Sequence, residues 1–446
     1  MKKKVTVVLI LSFILSLMLV FVTRHPMLPD SYGYNAIGVN IASGNGYKDN
    51  IGEVTMAREP MYPLFLAVMY KIFGYRYFPV QIVQVGLFLL TVILVYRIAK
   101  LTFDRQIALY SMVITALFPT LINYPSYILS ETLFTFLTSL LVFSCIKIYF
   151  TDKWIYYILT GLVLGASVLC KAIMLPFIFV VICWRLLLGD KRRCNIKNMI
   201  IKISVMVLIF ITLVVPWMYR NYVNFGSFSL RGGSEEPLCA KVIKLNYGFE
   251  DFKKAFIFTI SENLGKRMFP DAIENPRDFL FKEDILVREK MLPELREKGY
   301  TSKEIKNMMM NEIMKRPIKF IAISSLDLFK MTQFTYLPIL IDQEYLIEKI
   351  TNVRHGVFLL SLSRGIFRFL AYLLILFSII AMWMRKAEWR NLIFLVILVC
   401  YTNLIYSLIY GHGRYGVPLI PYYIILSAPA IVMIKEKMKG IIKCQK

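Results

Sequence analysis

Two carboxylates and four cations stand out because each lies where an apolar run meets a polar one. Asp30 falls in Pro29-Asp30-Ser31-Tyr32-Gly33-Tyr34, just past the first apolar run. Glu131 opens the fourth run, within Ser130-Glu131-Thr132. Arg58 and Glu59 close the first polar stretch ahead of Pro60 and Pro63, two prolines that fix the chain where it re-enters the membrane. Lys171 ends the fifth run, Arg220 follows Trp217 at the end of the seventh, and Arg414-Tyr415 sits between the last two. A carboxylate at a membrane surface can serve as a general base, taking the proton of an acceptor hydroxyl that attacks an activated carbon. Arg and Lys beside it can hold a phosphate and stabilise the charge that develops as it leaves.

Each residue also has a plainer role. Asp30 suits a turn or a helix N-cap. Glu131 suits a helix N-terminus favoured by the macrodipole, with Ser130 as the cap. Lys171 can snorkel to the interface, and an outer Arg beside a Tyr, as at Arg414-Tyr415, commonly anchors a span at the interface. Together, however, these groups gather at one end of a bundle of spans. The opposite end carries its charges in short basic linkers. That asymmetry predicts a site for an anionic lipid on the outer leaflet.

The elements that must position these groups follow from composition. The chain has 446 residues, 57% hydrophobic and 18% charged, whereas a soluble domain carries about 25% charged and about 45–50% apolar residues. This excludes a large soluble enzyme, a disordered tail and a nucleic-acid reader, and predicts an all-α polytopic membrane protein. About ten spans of roughly the length a bilayer requires are expected, over 5–22, 78–97, 107–123, 131–150, 154–170, 172–188, 200–218, 356–384, 391–410 and 415–434. The first is read as an uncleaved span, because Thr23-Arg24-His25-Pro26 offers no small-residue cleavage site. The apolar stretch at 62–73 is too short to cross, and 320–340, with Asp327 and Lys330, is read as an interfacial or partly inserted helix.

The net charge of +24 sorts by membrane side. The segments assigned inside (2–4, 97–105, 147–153, 185–202, 385–390 and 435–446) hold 22 Lys/Arg against 5 Asp/Glu, and the rest holds 31 against 24. The basic excess is thus mainly a topology signal, placing both termini inside and two polar segments outside: the first loop (24–61) and a helix-forming stretch from 219 to about 319. Three modules are expected: a membrane module over 1–218 with the first outer loop, an extracytoplasmic helical segment with the interfacial helix over 219–355, and a C-terminal membrane module over 356–446. The seven Cys show no CxxC spacing and the three His are far apart, so neither a disulfide framework nor a metal site is indicated.

At these residues the chain resembles the polytopic C-type glycosyltransferases, in the branch similar to dolichyl-phosphate-mannose–protein mannosyltransferases and lipid A aminoarabinose transferases. Asp30 followed by Tyr32, the stretch from Asn40 to Tyr47, and Arg58-Glu59-Pro60-Met61-Tyr62-Pro63 look like that family's first-loop signature. Phe118-Pro119 leading to Ser130-Glu131, Pro216-Trp217 with Arg220-Asn221, and Arg414-Tyr415 with Pro418 and Pro421 resemble its later blocks. The resemblance implies an inverting transfer of a hexosyl or pentosyl group from a polyprenyl-phosphate carrier to a lipid, glycan or protein acceptor, on the outer side of the cell membrane. It implies that Asp30 is the base and that Glu131 is the second acidic residue, positioning the acceptor. Arg58, Glu59, Lys171, Arg220, Arg414 and Tyr415 are the candidates for holding the substrate and its phosphate. Relatives often carry Asp-Glu where this chain has Asp30-Ser31, and the register of Arg58-Glu59 against the aminoarabinose branch is ambiguous. No cofactor is expected. A divalent metal is compatible with the wider superfamily, but no ligand cluster shows here.

Three other readings compete, one of them a non-catalytic assembly protein, which should tolerate Asp30→Asn. A flippase-type transporter would need polar residues along the middle of several spans, and its common internal repeats are not visible. A lipid-linked saccharide polymerase or ligase would also place cations and a long loop outside; the block around Asp30 separates it from the transferase.

Overall fold

The computed structural model describes residues 2–23, 26–188, 195–233, 235–260, 262–270, 283, 285–332, 372–381 and 389–444. The described residues are overwhelmingly helical, as a bilayer demands of a chain whose backbone polar groups must be satisfied within each segment. In chain order the first half comprises α1 (Lys2–Val22), α2 (Pro29–Ala42), α3 (Met61–Phe73), α4 (Tyr77–Thr102), α5 (Arg105–Leu117), α6 (Pro119–Asn123), α7 (Glu131–Thr151), α8 (Trp154–Cys170), α9 (Phe177–Leu188) and α10 (Ile196–Phe225). There follow α11 (Glu236–Leu245), α12 (Phe249–Ile260), α13 (Ser302–Lys315), α14 (Pro317–Thr332), α15 (Trp389–Ile409) and α16 (Ile420–Cys444), with short helical turns between α12 and α13.

Among the described residues six helices are long and apolar enough to cross a membrane, or seven if α5 and the segment after it form one bent span. The break has a local cause. Pro119 cannot continue α5, Phe118 before it is extended, and the two pieces meet at 53°. The stretch expected as one span over 107–123 is therefore two helices meeting at a bend. Trp154–Cys170 and Ala172–Leu187 are apolar but shorter than a full crossing, as is Met61–Phe73. The expected span at 356–384 lies outside the described residues except for 372–381, and the interfacial stretch beyond Thr332 lies outside them as well.

The bundle has an inside and an outside of its own. Only 17% of the α1 span window is buried, with Val7, Ile10 and Phe21 exposed, whereas 83% of the span Gly413–Lys435 is buried. α1 therefore presents its apolar surface to lipid, and the last helix forms the centre, packed on α4 and α5. α8 and α10 approach closely because α8 offers small residues: a Cβ on Gly161 would lie 2.5 Å from the Met206 carbonyl oxygen. Asp104 caps α5 by accepting from the Gln106 and Ile107 amides at 2.7 and 2.9 Å.

At the end away from the 24–61 loop, where the sequence reading places charges only in short basic linkers, the structure adds a buried ion-pair group. Asp152 accepts from Arg185 at 2.8 Å and from Lys202 at 2.5 Å, and both cations are buried. Their ion pairs tie the α7–α8 turn to α9 and α10.

Candidate active site

α2 begins on Pro29, whose missing N–H costs nothing in the first turn. Asp30 sits in that first turn, but it is not the cap: Ser31 Oγ accepts from the Leu28 amide at 2.9 Å instead. The Asp30 carboxylate is thereby left to face the bundle. Arg58 donates to its Oδ1 at 2.8 Å, and Arg414 contacts its Oδ2. Gly33 makes room for the first of these, since a Cβ there would lie 3.2 Å from Arg58 Nε. One turn on from Asp30, the Tyr34 ring carries the Arg58 guanidinium 5.1 Å from its centroid.

Glu131 opens α7 and is 2% exposed. Ser130 does not cap the helix through its side chain; its Oγ lies 3.4 Å from the Tyr34 hydroxyl. The nearest cations to the Glu131 carboxylate are Lys171 Nζ at 3.5 Å and Arg414 Nε at 3.9 Å, and neither of its oxygens has a hydrogen bond. Buried carboxylates are rarely left so. Lys171 is placed by the break between α8 and the 3-10 turn Ala172–Met174, where its backbone is extended. Tyr415 stacks on Tyr406 with centroids 4.4 Å apart, while Arg414 and Lys171 stand 5.3 and 6.0 Å from the Tyr415 ring.

Glu59 is also buried; it accepts from the Ala172 amide at 3.2 Å and lies 3.9 Å from Arg231. Arg231 was not singled out in the sequence, where it reads as one more basic residue in a long polar segment. Only its return to the first loop, through the bond from the Gly232 amide to the Met56 carbonyl at 2.7 Å, brings it here.

Arg220 is placed elsewhere. It donates to the Thr55 carbonyl at 2.7 Å and the Tyr47 carbonyl at 3.3 Å, and it lies over the rings of Tyr47 and Trp217. Its work in this structure is to pin the first loop to the end of α10. The Tyr47 hydroxyl in turn donates to the Arg58 carbonyl at 2.8 Å, so the loop is held on both sides of the site.

Of the eight residues singled out in the sequence, the structure therefore brings seven together and leaves Arg220 in the supporting loop. The constellation holds three carboxylates (Asp30, Glu59, Glu131) and four cations (Arg58, Lys171, Arg231, Arg414), a surplus of one positive charge. Burial alone would raise the Asp30 carboxyl, but Arg414 and then Arg58 outweigh it and hold the group far below the usual carboxylate range. Such a carboxylate is a poor base until its arginines are drawn away. Among the described residues no three His, Cys, Asp or Glu side chains cluster as metal ligands.

Residues 57–219 match the family model described as dolichyl-phosphate-mannose-protein mannosyltransferase, which supports the resemblance seen in the sequence. No curated protein matches the chain. Among solved structures, an oligosaccharyltransferase of Archaeoglobus fulgidus, in complex with Zn and sulfate, aligns at 12% identity and a TM-score of 0.51, over 97% of this chain and 49% of that one. Archaeoglobus fulgidus AglB, in complex with an inhibitory peptide and a dolichol-phosphate, aligns at 12% identity and a TM-score of 0.50, over 99% and 51%. ArnT of Cupriavidus metallidurans, bound to undecaprenyl phosphate, aligns at 14% identity and a TM-score of 0.43, over 95% and 77%. The chain spans about half the length of the oligosaccharyltransferases, and that likeness is one of fold: a predominantly helical polytopic architecture.

Proposed function

We propose that the protein is an inverting glycosyltransferase that moves a sugar from a polyprenyl-phosphate carrier to an acceptor hydroxyl on the outer side of the cytoplasmic membrane. One observation carries the reading: a membrane-end carboxylate, Asp30, held by two arginines, one of which also reaches toward the buried and unbonded Glu131. The family match over 57–219 supports sugar transfer from a lipid-linked donor. The distribution of Lys and Arg supports the outer side, since the segments assigned inside by sequence carry 22 basic residues against 5 acidic ones while the 24–61 loop falls among the rest.

The chemistry runs as follows. The acceptor oxygen forms a bond to the anomeric carbon as the bond from that carbon to the phosphate oxygen breaks. The electron pair leaves with the polyprenyl phosphate, and the acceptor proton passes to Asp30. A phosphate is a good leaving group, so stabilising its charge matters more than protonating it. Arg58, Lys171, Arg231 and Arg414 supply that stabilisation. When the donor phosphate draws Arg58 and Arg414 toward itself, Asp30 regains the proton affinity that a base needs. Glu131 positions the acceptor or a sugar hydroxyl, which would give its unbonded oxygens their missing donors.

The test is to incubate the purified full-length protein with a panel of hexosyl and pentosyl polyprenyl phosphates, and to follow donor consumption and the product anomer. Consumption of one donor with inversion, lost in Asp30→Asn, is expected. Consumption of none, or equal turnover by Asp30→Asn, overturns the reading.

A further inference from the structure

Packed against the segment that leads to Arg414 is a second group of charges that sugar transfer does not by itself require. Lys241 of α11 donates to Asp327 of α14 at 2.7 Å, to Ser324 Oγ at 3.3 Å and to the Ser407 carbonyl at 2.7 Å. Lys244 donates to the other Asp327 oxygen at 3.0 Å and lies 4.9 Å from the Tyr410 ring centroid. Asp327 and Lys241 are fully buried and Lys244 is 3% exposed. Desolvating three charges is costly, and well-packed apolar side chains would serve stability as well or better. What ions add is a fixed geometry. Here they fix two helices of the 219–332 segment against the last turn of α15, where carbonyls lack helical partners.

The chain that leaves α15 leads directly to the active site. Gly411 lies against Asp327: a Cβ there would be 2.5 Å from Asp327 Cβ and 2.6 Å from its carbonyl oxygen. His412 follows and is buried; burial first, then Arg414, push its imidazole down to about 3, so it is neutral and can accept. Its Nδ1 takes the Arg414 amide at 3.3 Å, starting the 3-10 stretch Gly413–Leu419. Arg414 then reaches Asp30.

We infer that Asp327, with Lys241 and Lys244, is a positioning residue: it seats residues 410–414 so that the Arg414 guanidinium meets Asp30 and the donor phosphate. The inference rests on the proposed sugar transfer for its kinetic consequence, but the seating of the segment can be read independently. It also gives the helices between α10 and the last spans a part in catalysis, since α11 and α14 hold a residue of the site without touching the reacting atoms.

The test uses full-length protein in lipid nanodiscs and two variants. Gly411→Ala drives a methyl into Asp327. Lys244→Met removes one cation and leaves the Lys241–Asp327 pair balanced, so no buried charge is left without a counter-ion should the first variant fail to fold. Hydrogen–deuterium exchange over residues 405–419 and steady-state kinetics in both substrates are then compared with the wild type. Faster exchange is expected, with kcat/KM for the lipid donor lowered by about 10²-fold, the scale on which small displacements of positioning groups act. The loss should come chiefly through donor KM, with acceptor KM unchanged. Unchanged exchange overturns the inference. So does a fall in kcat with both KM values as in the wild type, which is the pattern of a merely structural lock. If no donor is consumed by the wild type, the sugar-transfer reading fails, and the exchange result alone decides whether Asp327 seats the segment.

Discussion

Arg58 donates to Asp30 at 2.8 Å across 28 residues of sequence, joining the two ends of the first loop through a single carboxylate. The pair explains why the loop can be polar and still ordered at a membrane surface. For the proposed sugar transfer it sets a condition: a carboxylate held by Arg58 and Arg414 is a poor proton acceptor, so the donor is expected to bind before Asp30 acts as base.

Asp30→Asn keeps the shape of the site and removes its proton acceptor. Turnover should fall by about 10²–10⁴-fold, the usual worth of a general base, while binding of polyprenyl phosphate persists. Single-turnover assays alongside lipid-binding measurements check this. Comparable losses in both would mean that Asp30 holds the carrier rather than the proton.

The pH profile carries the sign of the arginine clamp. In the free site Asp30 titrates far below its unfolded value, held there by Arg414 and Arg58 against its burial. Its contribution to stability is therefore fully present above the unfolded value of about 3.9 and is lost as pH falls from there toward the folded one. Donor binding should raise the Asp30 pKa by engaging the arginines. The acid limb of kcat, which reports the loaded enzyme, should then lie at higher pH than that of kcat/KM, which reports the free one. Coincident limbs would show that the clamp is not released.

Glu131→Gln should cost more in folding than in chemistry. The change leaves Lys171 and part of Arg414 without a nearby anion in a buried place, a loss of about 3 kcal/mol by analogy with other broken buried pairs. Denaturant unfolding in mixed micelles measures it. Turnover should fall less than in Asp30→Asn; the reverse order would exchange the parts assigned to the two carboxylates.

Arg220→Ala tests the supporting role against the phosphate-binding role first open to this residue. Two hydrogen bonds to loop carbonyls are lost, about 2 kcal/mol for a charged donor, and exchange over residues 47–55 should quicken. Donor KM should change much less than in Lys171→Gln. A larger donor effect in Arg220→Ala would return this residue to the phosphate.

Much of the architecture was legible in one dimension. An apolar run near 20 residues can satisfy its backbone in lipid only as a helix, so the runs over 78–97, 131–150 and 200–218 announce the long helices α4, α7 and α10, and Lys and Arg counts in the linkers set an expected orientation. The break in the third run was less legible. Phe118-Pro119 resembles a family block, yet the 53° bend depends on how the two pieces pack.

Residue types and their positions at span ends nominated Asp30, Arg58, Glu131, Lys171 and Arg414, because ionisable groups at a membrane are too costly to be placed idly. Which of them meet was decided by tertiary structure alone. Arg220 and Arg231 both follow the same span, and no periodicity separates the one that pins a loop from the one beside Glu59. The buried group of Asp327, Lys241 and Lys244 was half legible: Asp327 stands out as a charge in the apolar stretch at 320–340, but Lys241 and Lys244 read as two more charges in a polar segment, and only the docking of α11 and α14 on the end of α15 brings the three together out of water. Hydropathy and charge counts add up along a chain and can be read from it. An ion pair between Asp30 and Arg414 depends on distances across the folded bundle, and those exist only once the helices have packed.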